Sequence, residues 1–130
     1  MSDALKRWHA YVESQDTKEL WALLHPDAVF ESPVVHTPQR GRDITFKYLV
    51  GALKVLGNDS FTYVGEWHAK NSAVLEFKTE VQGLTINGVD LITWNDEGLI
   101  THFKVMVRPL KAINLLHQLM AEQLMKAQAR

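Results

Sequence analysis

The sequence predicts an α+β fold in which a curved antiparallel sheet wraps around N-terminal helices and a further helix ends the chain. Three observations predict it. Apolar residues recur at helical spacing before Gly57-Asn58, the period changes to two after that point, and helical spacing returns after Pro109. The 130 residues, 46% of them apolar, suffice for one domain over 1–130 with a substantial core.

Three helices are predicted in the first part of the chain. Ser2 or Asp3 caps the first, and the pair Asp16 and Glu19 forms a capping-box pattern that starts the second. The second helix ends at His25-Pro26, and the third covers about 43–56. Between these two helices we expect a strand at 28–31, followed by a loop at 32–41 that is stiffened by two prolines and forms a rim over a cavity.

Four strands are predicted next, at about 60–69, 73–82, 85–95 and 99–108. The second of them alternates apolar with charged residues, so one of its faces is covered and the other faces solvent or a partner. Residues 110–130 then form an amphipathic helix. We expect the helices to lie on the concave face of the sheet.

Composition excludes several classes of function. The 14 basic and 15 acidic residues are mixed along the chain, with a formal net charge of −1, so neither nucleic acid nor a membrane surface is an expected partner. No apolar run approaches the ~18 residues of a membrane span. Because the chain has no cysteine and begins with a polar segment, the expected location is the cytoplasm. The six histidines form no close pair of metal-ligand spacing, and we expect neither a metal nor a cofactor.

Asp90 is the most informative polar residue, because it shares a strand face with Ile92 and Trp94. If this carboxyl faces a cavity, the loss of solvation raises its pKa. It could then donate a hydrogen bond when neutral, or act as a base when ionised. The alternative is a structural acceptor for a tryptophan N–H or a histidine. His36 in the rim loop is the second catalytic candidate, since an Asp–His pair suits acid–base chemistry near neutral pH, although a loop histidine is more often simply solvated.

The expected ligand is a small, largely apolar molecule, held by apolar side chains of the helices and the concave face. The predicted lining comprises Trp8, Tyr11, Phe30, Phe46, Phe77, Ile92, Trp94, Phe103 and Val105. Aromatic residues at such spacing are more often core residues than ligand-binding residues, and a core role is the alternative for this set. Trp21 and Trp67 could equally be core residues.

The outer face of the sheet is a predicted interface. Val89 and Leu91 lie there beside mixed charges and His102, which favours a symmetric homodimer over a solvated face.

The order of the elements and several motifs resemble the nuclear transport factor 2-like superfamily, which includes ketosteroid isomerase and the SnoaL-like polyketide cyclases. The motifs are Asp16 between the first two helices, Pro33 in "VFESPV", Gly41 in "QRGRD", "GVDLITW", "DEGLITHFKV" and the closing "RPL". The resemblance covers about residues 4–110. It implies a deep, mostly apolar pocket and dimerisation through the outer face of the sheet. The superfamily also contains dehydratases, hydrolases and non-enzymatic binders, so it does not by itself assign a reaction.

The resemblance allows three roles to be placed by position. Ketosteroid isomerase uses an aspartate base and an oxyanion hole made by a tyrosine and a protonated aspartate. The protonated aspartate falls on Asp90, the oxyanion tyrosine on Trp8 and the base on Ser32. Since Ser32 cannot replace the base, isomerisation of a steroid by the same mechanism is not expected. In limonene-epoxide hydrolases an arginine precedes a strand aspartate by two residues, and Gly88 occupies that place here.

Three hypotheses of function follow. The first is a SnoaL-like enzyme of the isomerase, dehydratase or cyclase kind, in which Asp90, with or without His36, moves a proton. The second is a non-catalytic ligand carrier, which the serine at position 32 favours. The third is a protein-interaction domain that acts through the outer face of its sheet.

Overall fold

The computed structural model describes residues 2–128, with side chains through residue 126, and it confirms the α+β fold. Its helices are α1 (Asp3–Ser14), α2 (Thr17–Leu23), α3 (Arg42–Leu56) and α4 (Leu110–Gln128). Its strands are β1 (Leu24–Glu31), β2 (Gln39–Arg40), β3 (Thr62–His68), β4 (Ser72–Val81), β5 (Leu84–Trp94) and β6 (Ile100–Arg108). The last two residues of the helix predicted over 110–130 lie outside the described residues.

The six strands form one curved, unclosed sheet in the order β2-β1-β6-β5-β4-β3. Four of the five strand pairs are antiparallel, as predicted, but β1 and β6 run parallel. Alternation along a strand shows which residues share a face and carries no information on direction, so this pair could not be identified from the sequence. In the register of the sheet, Asp90 lies between Leu75 of β4 and Val105 of β6.

The two predicted helix starts are present, with one difference in detail. The Ser2 hydroxyl accepts the Leu5 N–H at 3.2 Å, and the Asp16 carboxylate accepts the Lys18 N–H at 3.0 Å. Glu19 does not reach back to the Asp16 N–H, which donates instead to Ser14 Oγ at 3.1 Å. The capping box is therefore only half formed, with the Ser14 hydroxyl replacing Glu19 in its second half.

The first strand and the rim loop differ most from prediction. β1 starts at Leu24 rather than residue 28, and its register with β6 is irregular between Leu24 and Val29, where Pro26 has no N–H to donate. β2 was not predicted, because two residues are too few to show alternation. After β2, the N–H of Gly41 (φ 112°) donates to the Ala28 carbonyl at 2.8 Å, so a glycine starts α3.

The remaining strands agree with prediction to within two residues at either end. Gln82 and Gly83 both have positive φ, as a two-residue type I′ hairpin requires. The Asn95 side chain accepts the N–H groups of Glu97 and Leu99 and so organises the last turn.

Helices α1 and α3 pack on the concave face of the sheet, and α4 packs against α3. The contact between α3 and α4 is close at Gly51, where an added Cβ would lie 3.3 Å from the Met120 methyl carbon. Within residues 2–128, no helix is both long and apolar enough to cross a membrane.

Candidate functional site

A cavity of about 190 Å³ lies between the concave face of the sheet and helices α1, α3 and α4. Apolar side chains make up most of its wall, with a few polar groups among them. The lining residues are Trp8, Phe30, Ser32, Pro33, Val34, Val35, Tyr48, Leu49, Ala52, Leu53, Leu56, Phe61, Tyr63, Phe77, Asp90, Phe103, Val105, Leu116, His117, Met120, Ala121 and Leu124. An apolar cavity of about 150 Å³ in another protein holds benzene, so this one has room for a small organic molecule.

Three polar side chains of the wall form a hydrogen-bonded series. Trp8 Nε1 donates to the Tyr63 hydroxyl at 2.9 Å, and the Tyr63 hydroxyl donates to Asp90 Oδ2 at 2.7 Å. The three residues come from α1, β3 and β5. The series therefore depends on the whole fold, because residues that are 55 and 27 positions apart must meet.

Tyr63 is held in place by the local structure of β3. The register of β3 with β4 shifts between Tyr63 and Gly65, and such a bulge changes the direction of a side chain. The Tyr63 ring packs edge to face against Phe61 and His9, with ring centroids 5.1 and 5.4 Å apart. The orientation of the phenol is thus fixed from two sides.

Burial dominates the electrostatics of the series. Asp90 is only 6% exposed, and burial raises the pKa of its carboxyl from 3.8 to about 7, against the opposing effect of the Tyr63 hydrogen bond. The pKa of Tyr63 is raised well above 10 by its burial and by the neighbouring Asp90 charge. The phenol therefore stays protonated and donates, while the carboxyl exchanges its proton near neutral pH.

The two oxygens of Asp90 have different surroundings. Oδ2 accepts the Tyr63 hydroxyl, whereas Oδ1 has no hydrogen-bond partner within the described part of the chain. No side-chain oxygen there is both fully buried and unpaired, so Oδ1 keeps accessible surface. Since Asp90 lines the cavity, this oxygen is available to a ligand.

Six of the residues predicted for the site share the cavity wall: Asp90, Trp8, Phe30, Phe77, Phe103 and Val105. Four others lie elsewhere in the core. Tyr11 and Ile92 are 1% exposed and do not line the cavity, Phe46 packs against Trp21 of α2, and Trp94 lies beside a separate depression near Ser2. Alternation places a residue on the inner face, but only the packing of the helices decides which inner residues meet open space.

His36 does not join Asp90 in the structure. It is exposed and lies beside a second, shallower depression that includes Glu31, Lys104 and Met106, outside the cavity wall. The Asp–His pair is therefore not formed.

The structure adds two polar residues that the sequence did not single out. Tyr63 is the partner of Asp90, and His117 of α4 lies in the cavity wall. A tyrosine on the apolar side of an edge strand was a weak signal for Tyr63. Residues 110–130 were predicted to form an amphipathic helix, and that pattern did not show that His117 would line the cavity.

Positions 32 and 88 are those at which the resemblance would place a catalytic base and an arginine, and Ser32 and Gly88 occupy them here. Ser32 lines the cavity, and its hydroxyl accepts the Val34 N–H at 3.0 Å. At Gly88 an added Cβ would lie 2.5 Å from Phe77 Cζ and 2.6 Å from the Met106 carbonyl oxygen, so no larger side chain fits two residues before Asp90 without displacement of its neighbours.

Known proteins resemble this chain in sequence and in fold. Residues 5–103 match the sequence profile of the SnoaL-like domain. A steroid delta-isomerase from Pseudomonas aeruginosa is 36% identical and superposes with a TM-score of 0.91 over 98% of this chain and 93% of its own. A protein with a cystatin-like fold from Silicibacter pomeroyi is 32% identical, with a TM-score of 0.88 over 96% of this chain and 87% of its own.

A more distant likeness shows the fold alone. An NTF2-like protein from Mesorhizobium loti is 18% identical and has a TM-score of 0.70 over 82% of this chain and 89% of its own. No curated protein sequence matches the chain.

Proposed function

Because the chain belongs to the SnoaL-like domain family, we propose that it binds a small, largely apolar molecule in the cavity and that Asp90 exchanges a proton with it. The observation that supports this best is a carboxyl in an apolar wall with one oxygen fixed by Tyr63 and the other accessible. A structural acceptor needs no accessible oxygen.

The environment of Asp90 suits both forms of an acid–base catalyst. With a pKa of about 7, the neutral and the ionised carboxyl are both well populated at neutral pH. A general acid or base is most efficient when its pKa lies near the working pH. The ionised form can remove a proton from carbon beside a ligand carbonyl. The neutral form can return that proton to another carbon, or donate a hydrogen bond to a ligand oxygen. Tyr63, donating to Oδ2, stabilises the ionised form.

The class of reaction that fits is isomerisation, or a related lyase-type step, of an oxygen-bearing apolar molecule. The 36% identity to a steroid delta-isomerase supports this class. Ser32 stands where the related isomerase mechanism has its base, and a serine hydroxyl is a poor base. In this proposal Asp90 both takes up and returns the proton, and no second carboxyl is needed.

The test is turnover of β,γ-unsaturated ketones, a steroid and a monocyclic one, followed by the ultraviolet absorbance of the conjugated product. We expect Asp90→Asn to lower kcat/KM about 100-fold or more, with an unchanged circular dichroism spectrum. Asp27→Asn, an exposed aspartate of β1, is the matched control and should leave turnover unchanged. Full turnover by Asp90→Asn would exclude the catalytic role.

A second variant separates the Tyr63 hydrogen bond from its packing. Tyr63→Phe keeps the ring but removes the donor that lowers the pKa of Asp90. The activity that depends on ionised Asp90 should then rise at a higher pH than in the wild type. An unshifted pH profile would show that Tyr63 does not tune the carboxyl.

The carrier remains the second candidate, and Ser32 favours it, because the cavity then lacks the base of the related isomerases. For a carrier, the wild type should bind naphthol, measured by its fluorescence, while no ketone is turned over. The ketone assay therefore decides between the two functions.

We also propose a homodimer through the outer face of the sheet. Trp67 and Met106 are 58% and 56% exposed there, and the register connects them through Val74, Val89 and Leu91. The Trp67 ring lies over Gly65, where an added Cβ would be only 2.9 Å from the ring. A large apolar area on a monomer is typical of a protein interface. We call these five residues, Trp67, Val74, Val89, Leu91 and Met106, the outer apolar cluster.

A further inference from the structure

Helix α4 forms one wall of the cavity with a single face. Its lining residues are Leu116, His117, Met120, Ala121 and Leu124, which recur at helical spacing. The match to the SnoaL-like profile ends at residue 103, before α4 begins at Leu110. The family profile therefore does not include this wall of the cavity.

His117 is the polar exception on that face. The other four lining residues of α4 are apolar, and His117 is exposed while also lining the cavity. Among the side chains described, through residue 126, it has no hydrogen-bond or ion-pair partner, whereas His9, His68 and His102 all contact a glutamate. Its imidazole is available to a group that enters from outside.

The cavity thus has polar groups of different depth. Asp90 is 6% exposed and marks the buried end, whereas His117 is exposed and marks the end open to solvent. Most of the wall between and around them is apolar. An imidazole donates an N–H in its neutral and its charged form, and a carboxylate accepts such a bond strongly when the imidazole is charged.

We infer that the ligand has two polar ends on an apolar body, an uncharged oxygen that meets Asp90 and an acidic group that meets His117 at the mouth. This inference rests on the proposed function, because it takes the cavity to be the ligand site. It specifies the class of ligand as an apolar keto acid or hydroxy acid. His117 then determines specificity and takes no part in the proton transfer.

Two fluorescent probes test the inference. Naphthol has one oxygen on an apolar ring system, and the second probe is the hydroxynaphthoic acid isomer whose carboxyl lies on the other ring, at the end opposite the hydroxyl. We expect the wild type to bind the acid about tenfold more tightly than naphthol, the value of one hydrogen bond to a charged group. His117→Leu should weaken binding of the acid and so remove this difference. His117→Gln keeps an N–H donor and should restore part of the difference.

Gln118→Leu is the matched control, since Gln118 is exposed on α4 and does not line the cavity. It should change neither affinity. If His117→Leu weakens both probes equally or neither, the two-ended ligand is excluded while naphthol binding still supports the cavity as a site. If neither probe binds the wild type, the proposed function fails together with the inference.

Discussion

At the scale of single residues, the molecule depends on how Asp90 is buried. A buried carboxyl usually loses its charge or finds a cationic partner, and Asp90 does neither completely. It has a neutral donor, Tyr63, which is itself supported by Trp8. The Tyr63 hydrogen bond offsets only part of the cost of burying the charged carboxylate. The pKa of Asp90 is therefore still raised. The burial that raises the pKa of Asp90 also makes the stability of the folded protein depend on pH.

The pH dependence of stability follows from that pKa. In the unfolded chain the carboxyl ionises around pH 3.8, and in the folded protein around 7, so between these values the folded state holds one more proton. The free energy of unfolding therefore decreases as pH rises from about 4 to 7 and then levels off, by about 4 kcal/mol in total. Urea unfolding at several pH values should show this decrease in wild type relative to Asp90→Asn.

The exposed Asp27→Asn variant serves as the reference for the other titrating groups and should follow the wild type. A difference between wild type and Asp90→Asn that does not change between pH 4 and 8 would contradict the buried, raised carboxyl.

At the scale of elements, β5 determines where the acid lies, and Gly88 allows its neighbours to approach. The place of a side chain at position 88 is filled by the Phe77 ring of β4 and the Met106 carbonyl of β6. Phe77 in turn lines the cavity and stacks on Phe61, with centroids 5.4 Å apart. The glycine thus sets the shape of the wall next to Asp90.

Gly88→Ala should be destabilising by about 1–3 kcal/mol, because the methyl group overfills a packed site. Chemical denaturation measures the change, and Thr85→Ala, an exposed position of the same strand, should cost far less. Equal stability of Gly88→Ala and wild type would show that Phe77 moves away freely.

The sequence predicted the helices and strands better than it predicted which residues of different elements contact each other. Alternation along β5 was enough to place Asp90 with Ile92 on the inner face, and the structure agrees. Tyr63 was missed because its meeting with Asp90 depends on a bulge in β3 and on the pairing of three strands. The sequence did not decide whether Trp67 is a core residue. In the structure it is exposed, because the shift in register at the bulge places it on the outer face of the sheet.

At the scale of the whole molecule, the curved sheet separates two surfaces with different proposed roles. The concave side holds the helices and the cavity, and the convex side carries the outer apolar cluster between charged residues such as Glu31 and Lys104, which form an ion pair at 3.7 Å. A dimer through the convex side would leave the mouth at His117 free. The proposed assembly and the proposed ligand site are therefore compatible.

Light scattering after size exclusion tests the dimer. Met106→Glu places a charge within the outer apolar cluster and should convert a dimer to a monomer. Met125→Glu is the matched control, because Met125 is 69% exposed on α4, away from the sheet, and it should leave the mass unchanged. A wild type that is monomeric at micromolar concentration would exclude the interface.

The contribution of α4 to the cavity has a consequence for how substitutions act on the proposed site. The hydrogen-bonded residues Trp8, Tyr63 and Asp90 all precede residue 91, whereas one wall of the cavity is formed after residue 109. Changes in the final helix can reshape the chamber and its entrance while the acid and its supports stay intact. In the proposed function, substitutions in α4 can therefore change which ligand binds while the residues proposed to exchange its proton stay in place.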